Sequence, residues 1–71
     1  MRKMHNLVRL VKPEADEVID PDFIGRITAI CDTYAAYGFE IVSVSMLENP
    51  IRELHRRNLE AWIFMSAEVS D

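Results

Sequence analysis

A group of basic side chains lies within six positions near the middle of the second half of the chain. It comprises Arg52, His55, Arg56 and Arg57. Guanidinium groups bind phosphates and carboxylates through two parallel hydrogen bonds, so three of them on one loop could hold an anionic ligand or a protein partner. A simpler interpretation is a solvated loop in which Glu53 pairs with Arg57 one helical turn away.

Trp62 is the only tryptophan of the chain. A tryptophan in a strand packs in a core or an interface, or it stacks on a planar ligand, because its large ring offers both apolar area and a polar N–H. Together with the basic group it completes the predicted ligand- or partner-binding set: Arg52, His55, Arg56, Arg57 and Trp62.

Catalytic and metal-binding patterns are missing from the sequence. Cys31 follows Ile30 on the apolar side of a predicted helix, where a thiol behaves as a small hydrophobic group. Ser43 and Ser45 lack the glycine-rich turn that exposes a nucleophile. The two histidines, His5 and His55, have no paired metal-ligand spacing. We therefore expect no catalytic residue, no metal and no cofactor, and the prediction is a protein that is not an enzyme.

The acidic residues cluster before the predicted helix, at Glu14, Asp16, Glu17, Asp20 and Asp22. This stretch lacks the glycine and the closing glutamate of a calcium loop. It is interpreted as helix capping and solvation.

Composition limits the function classes further. The 71 residues are 49% apolar and 28% charged, an ordinary globular balance that predicts one domain over residues 1–71. Eight basic and twelve acidic residues give a net charge of −4, which argues against nucleic-acid binding. No apolar run approaches the roughly 20 residues of a membrane helix and no signal peptide is recognisable, so no membrane partner is expected. A single cysteine fits a reducing, cytoplasmic location.

The basic group and Trp62 must be positioned by a small number of elements. Closely spaced apolar residues, several of them β-branched or bulky, predict a strand over His5–Lys12 that ends at Pro13 and is covered on both faces. Asp20 followed by Pro21 is a helix start, and apolar residues at helical spacing predict a helix over about 21–37. Gly38 ends this helix, because glycine adopts the left-handed conformation at low cost, and Phe39 can pack back on Tyr34.

The second half contains one clear strand and one ambiguous segment. Phe39–Leu47 is rich in β-branched residues and predicts a strand, which Glu48-Asn49-Pro50 breaks. From Leu59 to Val69 apolar and polar residues alternate, which favours a third strand over a second helix starting at Pro50. Residues 50–57 are expected to form a loop with one or two helical turns, capped by Asn49.

These elements give an α+β fold of β-α-β-β order: one amphipathic helix on a three-stranded antiparallel sheet. The sheet is apolar on both faces. Trp62 and Phe64 lie opposite Ile63 and Met65. In the second strand Val42, Val44 and Met46 are assigned to one face, and Phe39, Ile41 and Leu47 to the other. A single helix cannot cover both faces, so the chain is expected to form a homo-oligomer through the second sheet face or through strand edges. A short chain without disulfides often gains stability in this way.

The segment from Tyr37 to Ser45, Tyr-Gly-Phe-Glu-Ile-Val-Ser-Val-Ser, resembles a motif of small uncharacterised bacterial and phage proteins. In them a helix ends in glycine and is followed by an aromatic residue, glutamate, an aliphatic pair and serine, and then by a hairpin. The resemblance spans Phe23 to about Met65. It implies a β-α-β-β fold and no particular activity.

The order of elements is also similar to that of the dodecin family, flavin-storing oligomers of comparable length. In that family the tryptophan that stacks on the ligand lies near the start of the second strand, where this chain has Phe39. The resemblance implies an architecture that can assemble into ligand-sequestering shells.

Size, acidity and the phage-like motif together suggest a small non-enzymatic binding protein that acts as a homo-oligomer. The expected role is that of a phage-type inhibitor or counter-defence protein that binds a host protein. The alternative is a sequestering module for a nucleotide-like or other anionic small molecule, held by the arginine-rich hairpin loop.

Overall fold

A computed structural model describes residues 2–70 and has four elements. They are β1 (Arg2–Ala15), α1 (Pro21–Ala36), β2 (Glu40–Ile51) and β3 (Arg56–Val69). Both β1 and β2 pair with β3 in antiparallel fashion, which gives the sheet order β1-β3-β2. The predicted α+β fold of β-α-β-β order, with one helix on a three-stranded antiparallel sheet, is confirmed.

The helix begins and ends where the capping residues predict. The Asp20 side chain accepts a hydrogen bond from the Phe23 backbone N–H at 2.9 Å, and Pro21 is the first helical residue. At the other end, Gly38 has φ +91° and its N–H donates to the Ala35 carbonyl. The rings of Tyr34 and Phe39 meet edge to face with centroids 5.6 Å apart, as expected from the sequence.

The core lies between α1 and one face of the sheet. Alternate residues of β3 point toward the helix and are buried there, because successive side chains of a strand point to opposite faces. The buried set is Ala15, Phe23, Ile27, Leu59, Ala61, Ile63 and Met65. Val8, Leu10 and Ile41 of the outer strands pack against it.

The strands are longer than the sequence predicted. β1 extends past Pro13 to Ala15, and β2 continues through Glu48, Asn49 and Pro50 to Ile51. The predicted break at Glu48-Asn49-Pro50 is therefore wrong. Both prolines belong to edge strands, where the missing N–H removes no bond from the ladder if it faces solvent.

The predicted helical turns over residues 50–57 are also wrong. Residues 52–55 form a short turn directly between β2 and β3, and the Leu54 N–H donates to the Ile51 carbonyl at 3.3 Å. Asn49 does not cap a helix; it lies in β2 opposite Asn58. The last third of the chain is a strand, as the alternation favoured.

Two facing assignments in the predicted second strand change, because Phe39 and Ile41, which were assigned to the face opposite Val44, both pack against the core. A register shift between Ile41 and Ser43 leaves Val42 without an opposite residue on β3. Ile41 therefore lies on the helix side together with Val44, and not on the opposite face. This register shift is a β-bulge, and it reverses the side-chain facing at the start of β2 so that Ile41 points to the core.

Candidate functional site

The turn between β2 and β3 carries Arg52 and His55 on its exposed surface. His55 has φ +51°, in the left-handed region that few residues other than glycine, asparagine, aspartate and histidine adopt. Its position closes the turn and directs the chain into β3. The structure thus shows a backbone role for His55.

Arg56 and Arg57 are held by acidic groups of neighbouring segments. The Arg56 Nε lies 3.2 Å from Asp16 Oδ1, and an Arg56 Nη lies 4.0 Å from Glu14 Oε2. Arg57 donates from Nη1 to the Asp16 carbonyl at 3.0 Å, and its Nε lies 3.2 Å from Glu48 Oε1. We call these five residues, Glu14, Asp16, Glu48, Arg56 and Arg57, the hairpin cluster.

The hairpin cluster ties the β2–β3 hairpin to the segment between β1 and α1. Glu14 supports the same junction, because its backbone N–H donates to Asn58 Oδ1 at 3.1 Å. Two of the three arginines predicted to bind an anion are thus already engaged by carboxylates and a carbonyl. Within residues 2–70 only Arg52 of the three makes no ion pair.

Trp62 lies elsewhere. It belongs to the sheet face that points away from the helix, opposite Arg9 on β1 and Ser45 on β2. Apolar neighbours on this face are Leu7, Val11, Leu47 and Phe64. We call this surface, with Leu7, Arg9, Val11, Leu47, Trp62 and Phe64, the open face. The structure does not bring Trp62 together with the basic residues of the hairpin.

Two side chains of β1 lie against the aromatic rings of the open face. The Arg9 guanidinium carbon is 5.5 Å from the Trp62 ring centroid, and Arg9 also forms an ion pair with Glu60. The His5 ring stacks on Phe64 with centroids 5.5 Å apart and planes 5° from parallel. A cation over a tryptophan ring is attracted by the ring quadrupole, so Arg9 is drawn to Trp62 while His5 packs on Phe64.

Arg9 and His5 are functional candidates that the sequence interpretation missed. The residues His5, Leu7, Arg9 and Val11 share one face of β1, and this alternation was readable. Which residues of β3 they meet depends on the register, which the sequence does not supply.

A third group joins β1 to the start of the helix. Lys12 Nζ lies 2.7 Å from Asp20 Oδ2 and 3.4 Å from Asp22 Oδ2. The hydrogen bond from Lys12, followed by the one from the Phe23 N–H, lowers the pKa of Asp20 below its ordinary value of 3.8. The hydrogen bond to Asp20 raises the pKa of Lys12 above 10.5. This group is structural, because it anchors the helix start.

The residues that could perform chemistry are scattered. Cys31 is half-buried and packs against the core. Ser43 and Ser45 lie opposite Phe64 and Trp62, on the side of β3 away from His5. Across residues 2–70 no three His, Cys, Asp or Glu side chains are close enough together to hold a metal ion. In the same range no helix has the length and hydropathy needed to span a membrane.

Comparison with known proteins adds no functional assignment to these surfaces. No protein-family profile, curated protein or solved structure matches the chain significantly.

Proposed function

We propose that this chain is a non-enzymatic binding protein that works as a homo-oligomer and contacts a protein partner through the open face. The observation that carries the proposal is the open face itself. It presents Trp62 and Phe64 at its centre, and no element within residues 2–70 forms a second layer over it. A reducing, cytoplasmic location belongs to the same proposal, since the thiol of Cys31 has no disulfide partner.

The shape of the molecule supports association. Its radius of gyration is 14.7 Å, whereas a compact domain of this length has about 11 Å. Its accessible surface is 5184 Å², against about 4,500 Å² for a compact monomer of this mass. The excess is surface that a partner can bury.

The excess accessible surface arises because the helix is much shorter than the strands. The 16 residues of α1 span about 24 Å, whereas the 14 residues of β3 span about 46 Å. One helix therefore covers about half of one sheet face. The molecule measures 53 × 17 × 13 Å, so it is a narrow slab with much of its apolar surface uncovered.

The chemistry of the open face fits protein recognition. Tryptophan and arginine are the residues that contribute most to binding at protein interfaces, and they do so when they are central and held in place. Trp62 and Arg9 meet both conditions. Leu7, Val11 and Leu47 surround them with exposed apolar area. We therefore expect a partner with a flat apolar surface of its own.

The test compares one substitution on the open face with a matched one off it. Leu7→Lys changes a residue that is 53% exposed, and Val18→Lys changes one that is 47% exposed in the segment before the helix. Both proteins should fold, and affinity capture from cells of the natural host should be carried out with each. A partner retained by the wild type and by Val18→Lys but lost from Leu7→Lys is the expected result.

Equal retention by all three proteins, or no retained protein at all, contradicts the proposal. Native mass spectrometry of the same preparations reports the oligomer size. A retained anionic small molecule that disappears in Arg52→Ser would instead favour the sequestering module.

A further inference from the structure

The two outer strands of the sheet are protected to different degrees against pairing with another chain. β1 carries four basic residues and a proline, which hinder the pairing of an edge strand with another chain: Arg2, Lys3, Arg9, Lys12 and Pro13. β2 has no charged residue from Ile41 to Leu47 and no proline before Pro50. A long uncharged edge with unpaired backbone groups is a template for another strand.

The side chains along this edge are apolar and exposed. Val42, Val44 and Met46 are 55%, 42% and 49% exposed. Val44 and Met46 lie on the helix side of the sheet, opposite Ile63 and Ala61, yet α1 leaves them uncovered. The edge therefore offers hydrogen-bonding groups and apolar area at one place.

We propose that two copies of this chain pair through their β2 strands, antiparallel and about a two-fold axis at Ser45, to form one six-stranded sheet. This inference rests on the proposed function, whose self-association it assigns to a particular surface. The occupant of the edge is a second copy because the strand is complementary to itself.

The position of the axis follows from the regular part of β2. The register shift between Ile41 and Ser43 ends the regular strand on one side, and the charge of Glu48 ends its uncharged part on the other. Ser45 is the centre of the remaining segment, Ser43–Leu47. An axis there sets Val44 opposite Met46 of the partner subunit, so apolar side chains meet twice on the helix side.

An axis at Val44 fits less well. It would set Leu47 opposite Ile41 of the partner subunit, across the bulge. Leu47 lies on the open face, whereas Ile41 points to the helix. Residues directly opposite each other in an antiparallel pair share a face, so this pairing would mismatch its side chains.

The arrangement has a consequence for binding. Because opposite residues share a face, both helices lie on one side of the six-stranded sheet and both open faces on the other. The dimer then presents one continuous surface with two copies of Trp62. Self-association through the β2 edge thus leaves the partner-binding surface free and doubles it.

Sedimentation of Val44→Lys and Val18→Lys, with the wild type as reference, tests the edge. Both substitutions place a lysine at an exposed valine, but only the first sets a charge within the proposed interface. We expect Val44→Lys to raise the dimer dissociation constant by roughly 100-fold, because a lysine there removes apolar contact and brings two charges into the interface. Val18→Lys should behave as the wild type.

Hydrogen exchange and cross-linking locate the interface independently. Raising the protein concentration should slow exchange in β2 and leave β1 unchanged, because only the β2 edge gains hydrogen bonds. Ser45→Cys in a Cys31→Ala background should form a disulfide-linked dimer under oxidation, whereas Leu54→Cys in that background should not.

The outcomes separate this proposal from the proposed function. A dimer that survives Val44→Lys and is lost in Leu7→Lys overturns the edge pairing but leaves a homo-oligomer, assembled through the open face. A wild-type monomer at about 100 µM, or unprotected β2 amides in a dimer, also overturns it. Partner binding by the open face is tested separately, by the affinity capture with Leu7→Lys and Val18→Lys, and its result does not depend on the β2 pairing.

Discussion

Gly25 and Gly38 place the same residue type in two different backbone environments. Gly38 has φ +91°, whereas Gly25 lies within α1, and an added Cβ would meet no atom within 4 Å at either site. Steric space is therefore equal, and only backbone conformation differs. Gly38→Val should lower the free energy of unfolding by about 1–2 kcal/mol, since a branched side chain is strained in the left-handed region. Gly25→Ala should raise it by about 0.5–1 kcal/mol through helix propensity.

Urea unfolding of the two variants measures both effects. If Gly38→Val and Gly25→Ala changed the free energy of unfolding in the same direction, the assignment of Gly38 to a left-handed helix end would be contradicted. Gly38→Asn provides a control, because asparagine tolerates this conformation and should lose less stability than valine.

The ion pair between Lys12 and Asp20 makes stability depend on pH at both extremes. The folded state lowers the pKa of Asp20, so its contribution is present above pH 3.8 and is lost as pH falls through the folded value. The folded state raises the pKa of Lys12, so its contribution is present below pH 10.5 and is lost as pH rises through the folded value. Thermal unfolding should therefore show a decline below about pH 4 and another above about pH 10.

Two substitutions separate these declines. Asp20→Asn keeps an oxygen that can accept the Phe23 N–H but removes the charge, so it should reduce the acid decline. Lys12→Met should reduce the alkaline decline. The exposed turn residue Glu53 supplies the control, and a pH profile of Glu53→Gln that changes as much as that of Asp20→Asn would contradict the assignment.

At the scale of elements, the hairpin cluster joins the β2–β3 hairpin to Glu14 at the end of β1 and to Asp16 directly after it. Arg57→Ala removes a hydrogen bond from a charged donor to the Asp16 carbonyl and the contact with Glu48. We expect a loss of about 1–2 kcal/mol in the free energy of unfolding. Arg52→Ala, at a residue five positions earlier that makes no ion pair within residues 2–70, should change it by less than about 0.5 kcal/mol. Equal losses in urea unfolding would show that the cluster contributes no stability.

The elements themselves were largely predictable because their signals are local. Asp20, Pro21 and Gly38 define the helix ends through their own backbone and side-chain chemistry. The ends of β1 and β2 were not predictable in this way. Pro13 and Pro50 stop a central strand but not an edge strand, and the sheet order that makes both strands edges is a property of the whole fold.

The candidate site was predicted only in part, for a related reason. Trp62 could be recognised, together with Phe64, as an aromatic residue on the sheet face opposite Ile63 and Met65. Its partner Arg9 lies 53 positions earlier and reaches Trp62 only through the β1–β3 register. The arginines of the hairpin were recognised as a group, but the carboxylates that pair with Arg56, those of Glu14 and Asp16, come from a segment distant in sequence.

At the scale of the whole molecule, the length of the strands relative to the helix is the feature that governs behaviour. A slab with uncovered apolar area on both faces and one uncharged edge gains stability from each contact that covers it. Assembly through β2 and recognition through the open face use different surfaces. The two can therefore occur together, and the variants Val44→Lys and Leu7→Lys affect them separately.

The β1–β3 ladder also determines when the fold can be completed during synthesis. Arg2 pairs with Val69 and Lys12 with Leu59, so β1 is synthesised well before β3, the strand that pairs with it. The first strand has no ladder to join until β3 has emerged, whereas α1 and the residues before it are already outside. The newly made β1 therefore remains an unpaired segment until the residues of β3 have been made. Its basic residues, which protect the finished sheet edge, also protect this waiting segment from premature pairing.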